Sequence, residues 1–148
     1  MHEMEKNDIR WEQRFDNFKK ALAKLREVAT RDDVTQLSEL EKEGMIQRFE
    51  YTFELAWKTL QDLLEHKGYN DIAGPNPVLG QSLKDGYITD EKQWRSMKRS
   101  RELTAHTYNS DTADDIAQQI TVSYYGMLKA LEDRLEHEKG TQQTSFFD

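Results

Sequence analysis

Apolar residues recur at helical spacing along almost the whole of this chain, and nowhere with the convincing alternation of a half-buried strand. From about Asn7 to Thr30, Trp11, Phe15, Phe18, Leu22, Leu25 and Ala29 step by fours and threes, which puts them on one face of a helix. A second helix is expected from Ser38 or Leu40 to Lys67, stopped by Gly68, with Ile46, Phe49, Phe53, Ala56, Trp57, Leu60 and Leu64 inward. Its opposite stripe, Gln47, Glu50, Tyr51, Glu54 and Lys58, is polar with one aromatic. Residues 68–76 form the one substantial loop. Asn76-Pro77 reads as an N-cap and first helical residue, opening a short helix closed by Gly86. Thr89 or Asp90 caps a helix to about Thr107, and Asn109-Ser110-Asp111 re-caps the chain into a last one. That helix carries Ile116, Ile120, Tyr124, Met127, Leu131 and Leu135 inward. Beyond Gly140 the period is lost. The expectation is an all-α protein: an antiparallel up-and-down four-helix bundle with one extra short helix, a single domain over residues 1–139, and a flexible tail over 140–148.

Composition fits that reading. One-third of the chain is charged, 33%, against 36% hydrophobic, a balance also found in disordered chains. The clean helical periods decide for amphipathic helices with charged outer faces. A formal charge of −7 excludes a broadly basic nucleic-acid coat but leaves room for a local basic patch. The chain has no cysteine, hence no disulfide, thiolate ligand or thiol nucleophile. No apolar run approaches the roughly 20 residues that span a bilayer, and Met1-His2-Glu3-Met4 is unlike a signal peptide. A cytoplasmic location and no membrane partner are expected.

Chemistry concentrates in the fourth helix. Trp94, Met97, Arg101, Thr104, Ala105 and Tyr108 fall on one stripe. An arginine inside an inward stripe must either be paired, with Glu50 or Glu54 as candidates, or face a wet cleft or interface. Upstream, Lys92, Arg95, Lys98 and Arg99 form a cationic run without an intervening acid, suited to phosphate. His106 follows Arg101 closely. A fixed cation beside an imidazole titrating near neutrality is what metal-free phosphodiester cleavage needs. Scattered histidines, the lack of a nucleophile triad and the lack of a phosphate-cradling glycine loop point away from metal, acyl-transfer and dinucleotide chemistry. No metal or cofactor is expected. Tyr51, an aromatic on a polar face, marks a candidate self-association surface.

Gln47-Arg48-Phe49-Glu50-Tyr51-Thr52-Phe53-Glu54-Leu55-Ala56-Trp57-Lys58, with Trp94 and then Arg101 to Asn109, resembles the bacterial and archaeal nucleotidyltransferase substrate-binding proteins of the HEPN superfamily. The resemblance spans nearly the whole chain. It implies a homodimeric helical bundle that partners a minimal nucleotidyltransferase encoded nearby, with Glu50, Tyr51, Glu54 and Trp94 at an interface or cleft. Many superfamily members with an Arg-x4-6-His motif are metal-independent endoribonucleases. By implication, Arg101 would hold the scissile phosphate and His106 would move a proton of the 2′-hydroxyl or of the leaving group. Toxin members carry Arg-x4-His-x-Tyr, which is complete here as Arg101, His106 and Tyr108. Their partner silences them by attaching AMP to the tyrosine, so Tyr108 is the implied acceptor. Where such proteins usually have asparagine or another small polar residue after the arginine, this chain has Glu102. Its carboxylate either engages Arg101 or turns to solvent.

Three readings therefore stand: a ribonuclease toxin acting on RNA, a non-catalytic substrate-binding subunit of a nucleotidyltransferase, and a helical dimer whose Arg101 and Tyr108 only hold the interface.

Overall fold

The computed structural model describes the backbone of residues 2–30, 33–106 and 109–147, and the side chains of residues 9–30, 33–105 and 109–141. Helix α1 (His2–Ala29) is followed by a short 3-10 turn (Val34–Gln36) and by α2 (Glu39–His66). Next come α3 (Pro75–Lys84), α4 (Glu91–His106) and α5 (Ser110–Gln119). A π-helical turn (Ile120–Tyr124) joins α5 to α6 (Tyr125–Phe147), so these three pieces form one rod.

Helix ends follow the side-chain chemistry that local rules demand. Ser38 and Glu41 cap α2 reciprocally, each side chain accepting the other's backbone N–H, at 3.1 and 3.0 Å. Gly68, with φ 107, takes the left-handed turn that lets the Tyr69 N–H reach back to the Leu64 carbonyl at 3.1 Å. Asp90 caps α4 through its carboxylate, 3.3 Å from the Gln93 nitrogen, at a φ of 68 that aspartate tolerates better than most residues. Asn109 caps α5 by accepting from the Thr112 N–H at 2.8 Å. One start differs from expectation: α3 begins at Pro75 with Gly74 as its cap, not at Pro77. Pro75 is as well suited to a first helical position as Pro77, and only Gly74 supplies the φ of 88 that the entry requires.

Cross-helix pairs fix the directions. Arg14 Nε donates to Asp62 Oδ2 at 2.9 Å and Arg48 donates to the Lys24 carbonyl at 2.7 Å, so α1 and α2 run antiparallel. Lys42–Asp114 at one end and Lys67–Glu138 at the other lay the α5–α6 rod parallel to α2. The result is a bundle of four long helical pieces, with the short α3 packed on α2. Its core holds Trp11, Phe15, Phe18, Phe49, Phe53 and Tyr124, all at most 1% exposed. Each such side chain, taken from water, stabilises the fold by about 1.5–3 kcal/mol. The rings of Phe49 and Tyr124 stack at 5.5 Å, joining α2 to the π turn.

The looser winding of that π turn corrects the inward stripe. Leu128, not Met127, is fully buried, because an i→i+5 turn rotates everything after it relative to a continuous α-helix. Helix α6 also runs through Gly140 to Phe147 instead of ending where the apolar period stops. Once begun, a helix propagates through residues such as Glu138 and Lys139 without an apolar stripe to guide it. Among the described residues, no helix is long and apolar enough to cross a membrane.

Candidate functional site

Arg101 sits in the last turns of α4, its side chain 24% exposed, where α4 leans on α2. Nη1 lies 3.3 Å from Glu50 Oε2, and Nε lies 3.3 Å from Glu54 Oε1. These two carboxylates stand four residues apart on α2, one turn above the other, so they grip the guanidinium from the same face. Glu54 also accepts the Trp57 indole N–H at 3.1 Å, which fixes the carboxylate's position. Although Nε is within ion-pairing distance of Glu54, its buried N–H is not aligned with any acceptor. The attraction at that atom is therefore coulombic, and a better-placed anion would gain the hydrogen bond as well.

Glu102 is not part of this clamp. Its carboxylate pairs with Lys98, one turn earlier on α4, and its side chain is 56% exposed. Pairing at i,i+4 along the helix is the geometry that the sequence offers locally, and it turns the acid away from Arg101.

Of the expected cationic run, Arg95 is paired with Glu91 at 2.7 Å and Lys98 with Glu102. Lys92 and Arg99 are exposed and form no ion pair among the described residues. One acid thus stands at each end of the run, and each reaches one turn into it to neutralise a cation. Trp94, expected at an interface or cleft, is 3% exposed and belongs to the core, with an edge in two surface grooves beside α4. Arg101 lines neither groove. Tyr51 stands on the outside of α2, 61% exposed, and Leu103 on α4 is 41% exposed. Ala105, expected inward, is exposed, because the inner stripe of α4 leaves the core before the helix ends. His106 closes α4, its side chain outside the described residues, and Thr107 and Tyr108 lie outside them altogether.

Two features escaped sequence reasoning. The Tyr124 hydroxyl, at the end of the π turn, is 2.8 Å from both Ser96 Oγ and Ser100 Oγ on α4. Ser96 and Ser100 stand one turn apart in an otherwise charged helix, a spacing that could have flagged a polar seam against the core. The second is a charged knot at the other end of the bundle. Glu138 of α6 accepts from Lys67 at 2.6 Å and Arg134 at 3.1 Å, and Arg134 lies over the Tyr87 ring at 4.9 Å. Burial would push the Glu138 carboxyl up, but its hydrogen bonds from Lys67 and Arg134 win and hold it below the usual range. Burial, with Glu138 nearby, pushes the Tyr87 phenol up to about 12.

Among the described residues the fold is an all-helical bundle, with Arg101 in the last turns of α4 and Glu50 and Glu54 opposite it on α2. The chain belongs to the family described as nucleotidyltransferase substrate binding protein like, whose model matches residues 13–137. It is similar to a protein of Haemophilus influenzae named "Probable ribonuclease HepT", with 33% identity over 81 residues. That match covers 52% of this chain and 56% of the relative, so the chain spans about half the length of the curated protein it matches. A crystal structure of a Thermus thermophilus protein shares the fold with a TM-score of 0.71 and 37% identity, over 80% of this chain and 98% of that one.

Proposed function

We propose that this chain is the helical half of a two-protein module with a nucleotidyltransferase, and that it is a metal-independent endoribonuclease. Arg101 holds the scissile phosphate and its developing negative charge. His106 takes the proton of the ribose 2′-hydroxyl as its oxygen attacks phosphorus, and the same imidazole in a second copy of the chain protonates the departing 5′-oxygen. The products are a 2′,3′-cyclic phosphate and a 5′-hydroxyl. Two copies meet across the exposed Tyr51 and Leu103 faces, forming one composite cleft. Tyr108 accepts AMP from the partner, and the added phosphate and adenine fill the cleft beside Arg101.

The observation that carries this reading is the orientation of α4's last turns. Arg101 is fixed by Glu50 and Glu54, while Glu102, the acid most able to spoil a phosphate site, is turned onto Lys98. Family membership and the name of the Haemophilus relative support it.

The same clamp favours a second reading. Two carboxylates on one guanidinium leave the cluster formally negative, as suits a tie holding α4 to α2 in a non-catalytic subunit that presents substrate to the nucleotidyltransferase. Expression of the chain alone, beside His106→Ala, separates the two. The ribonuclease reading expects growth arrest from the parent, none from the variant, and relief on co-expression of the nucleotidyltransferase, with AMP found on Tyr108 by mass spectrometry. A harmless parent that alters only the partner's activity supports the subunit reading instead.

A further inference from the structure

The cationic wall of α4 has an apolar counterpart that nothing so far has used. Between α3 and α4 runs a groove of about 430 Å³, within the usual size range of a small-ligand site. Its α3 side is uncharged: Leu79, Gly80 and Leu83, with Asn76 at one end. Its α4 side carries Arg95, Lys98 and Arg99 above the buried Trp94, with Glu91 and Glu102 at the two ends, so the wall is cationic by one charge. A Cβ placed on Gly80 would meet nothing within 4 Å, so the groove is open at that point to the depth of the helix backbone.

This asymmetry selects among ligands. An apolar wall facing a cationic one fits a molecule with a flat uncharged part and an anionic part on the opposite edge. A nucleotide has that form: a base to lie against the leucines and a phosphate to meet the arginines. An acidic peptide would leave the leucine wall without a partner. The ion pairs already present do not close the site. Arg95–Glu91 is a solvent-facing i,i+4 pair, weak enough for a phosphate to displace the carboxylate, and Arg99 has no ion-pair partner among the described residues, while Lys98 stays on Glu102. The groove also points the right way. Arg95, Arg99 and Glu102 follow at helical steps along one face of α4, so a strand lying there continues toward the C-terminal end of that helix.

We propose that the α3–α4 groove is a nucleotide subsite for single-stranded RNA, seating one base against Leu79 and Leu83 and its flanking phosphates on Arg95 and Arg99. The choice of RNA rests on the ribonuclease reading; the base-and-phosphate geometry does not.

The test measures fluorescence anisotropy of a labelled RNA hexanucleotide, 2′-O-methylated throughout so that it cannot be cleaved. Parent protein is compared with Gly80→Leu, which fills the groove from open space, and with Arg95→Gln/Arg99→Gln, which leaves its shape intact. Gly80→Leu is expected to weaken binding by on the order of tenfold, the worth of the apolar contact that a base makes with the leucine wall. The double glutamine variant is expected to weaken binding and to reduce the slope of log K against log salt by about 1.4, from two lost phosphate contacts. Parent that does not bind the oligonucleotide, or Gly80→Leu and the glutamine variant both binding as parent does, overturns the proposal. So does a Gly80→Leu protein that keeps RNA but loses the nucleotidyltransferase, which would make the groove a protein-docking surface. Binding that depends on the groove in a parent that cleaves no natural RNA upholds the subsite and removes the ribonuclease reading. Cleavage by the parent with groove-independent binding does the reverse.

Discussion

The Tyr124 hydroxyl shows how a single oxygen sets the position of the candidate site. A phenol donates one hydrogen bond and accepts others, so a single oxygen serves both serine hydroxyls. The ring, stacked on Phe49, is anchored in the core, and the two serines lie on the helix that carries Arg101. Tyr124→Phe keeps the ring and removes the seam. It should lower the unfolding free energy in urea by about 1–2 kcal/mol, two hydrogen bonds at roughly 1 kcal/mol each. An unchanged midpoint would mean that the serines find other partners. Arg101's neighbours were readable from the residues, since an arginine on an inward stripe needs carboxylates and the polar stripe of α2 offers Glu50 and Glu54 at one-turn spacing. Trp94 was not. Its place at the start of a stripe that is dry at one end and opens at the other depends on how α4 tilts, which no local spacing encodes.

Helices and their ends were largely readable because capping chemistry is local: Ser38, Gly68, Asp90 and Asn109 each act on backbone groups within four residues. What failed depends on partners far along the chain. The π turn seats Tyr124 against Phe49 of α2 and the Ser96 and Ser100 hydroxyls of α4, and the entry to α3 is held by Gln61 of α2, which accepts the Gly74 N–H at 2.9 Å. Likewise the knot of Lys67, Arg134 and Glu138 joins the end of α2 to α6 across a separation no periodicity covers. It carries a pH prediction. The folded Glu138 carboxyl lies below its unfolded value of 4.5, so its stabilisation is present above that value and is lost as pH falls through the lowered one. Glu138→Gln should cost about 1–2 kcal/mol at neutral pH, discounted because both cations are partly exposed to solvent. It should also shrink the acid-induced loss of melting temperature below pH 4.5. A variant with the parent's neutral stability and an unchanged acid limb would show that the knot contributes nothing. At the alkaline end the sign reverses. The Tyr87 phenol, raised to about 12, stays protonated in the fold after the unfolded chain has begun to ionise at 10, so stability falls between those values.

Taken whole, the molecule is an acidic bundle in which α4 carries Lys92, Arg95, Lys98 and Arg99 beside an apolar groove and Arg101 in a carboxylate clamp. A net charge of −7 makes most of the surface unfavourable to a polyanion, so under the proposed reading RNA approaches along the wall of α4. The bundle architecture could be read from periodicity alone, because amphipathic stripes with short connections leave few other ways to bury them. The chemistry could not, since the Arg101–His106 spacing is shared by a catalytic pair and by a structural tie. The deciding measurement is incubation of the purified chain with single-stranded RNA in excess chelator, beside His106→Ala and Arg101→Ala. The account predicts cleavage by the parent to 2′,3′-cyclic phosphate ends and none by either variant. Intact RNA with the parent, or cleavage that persists in His106→Ala, would contradict it.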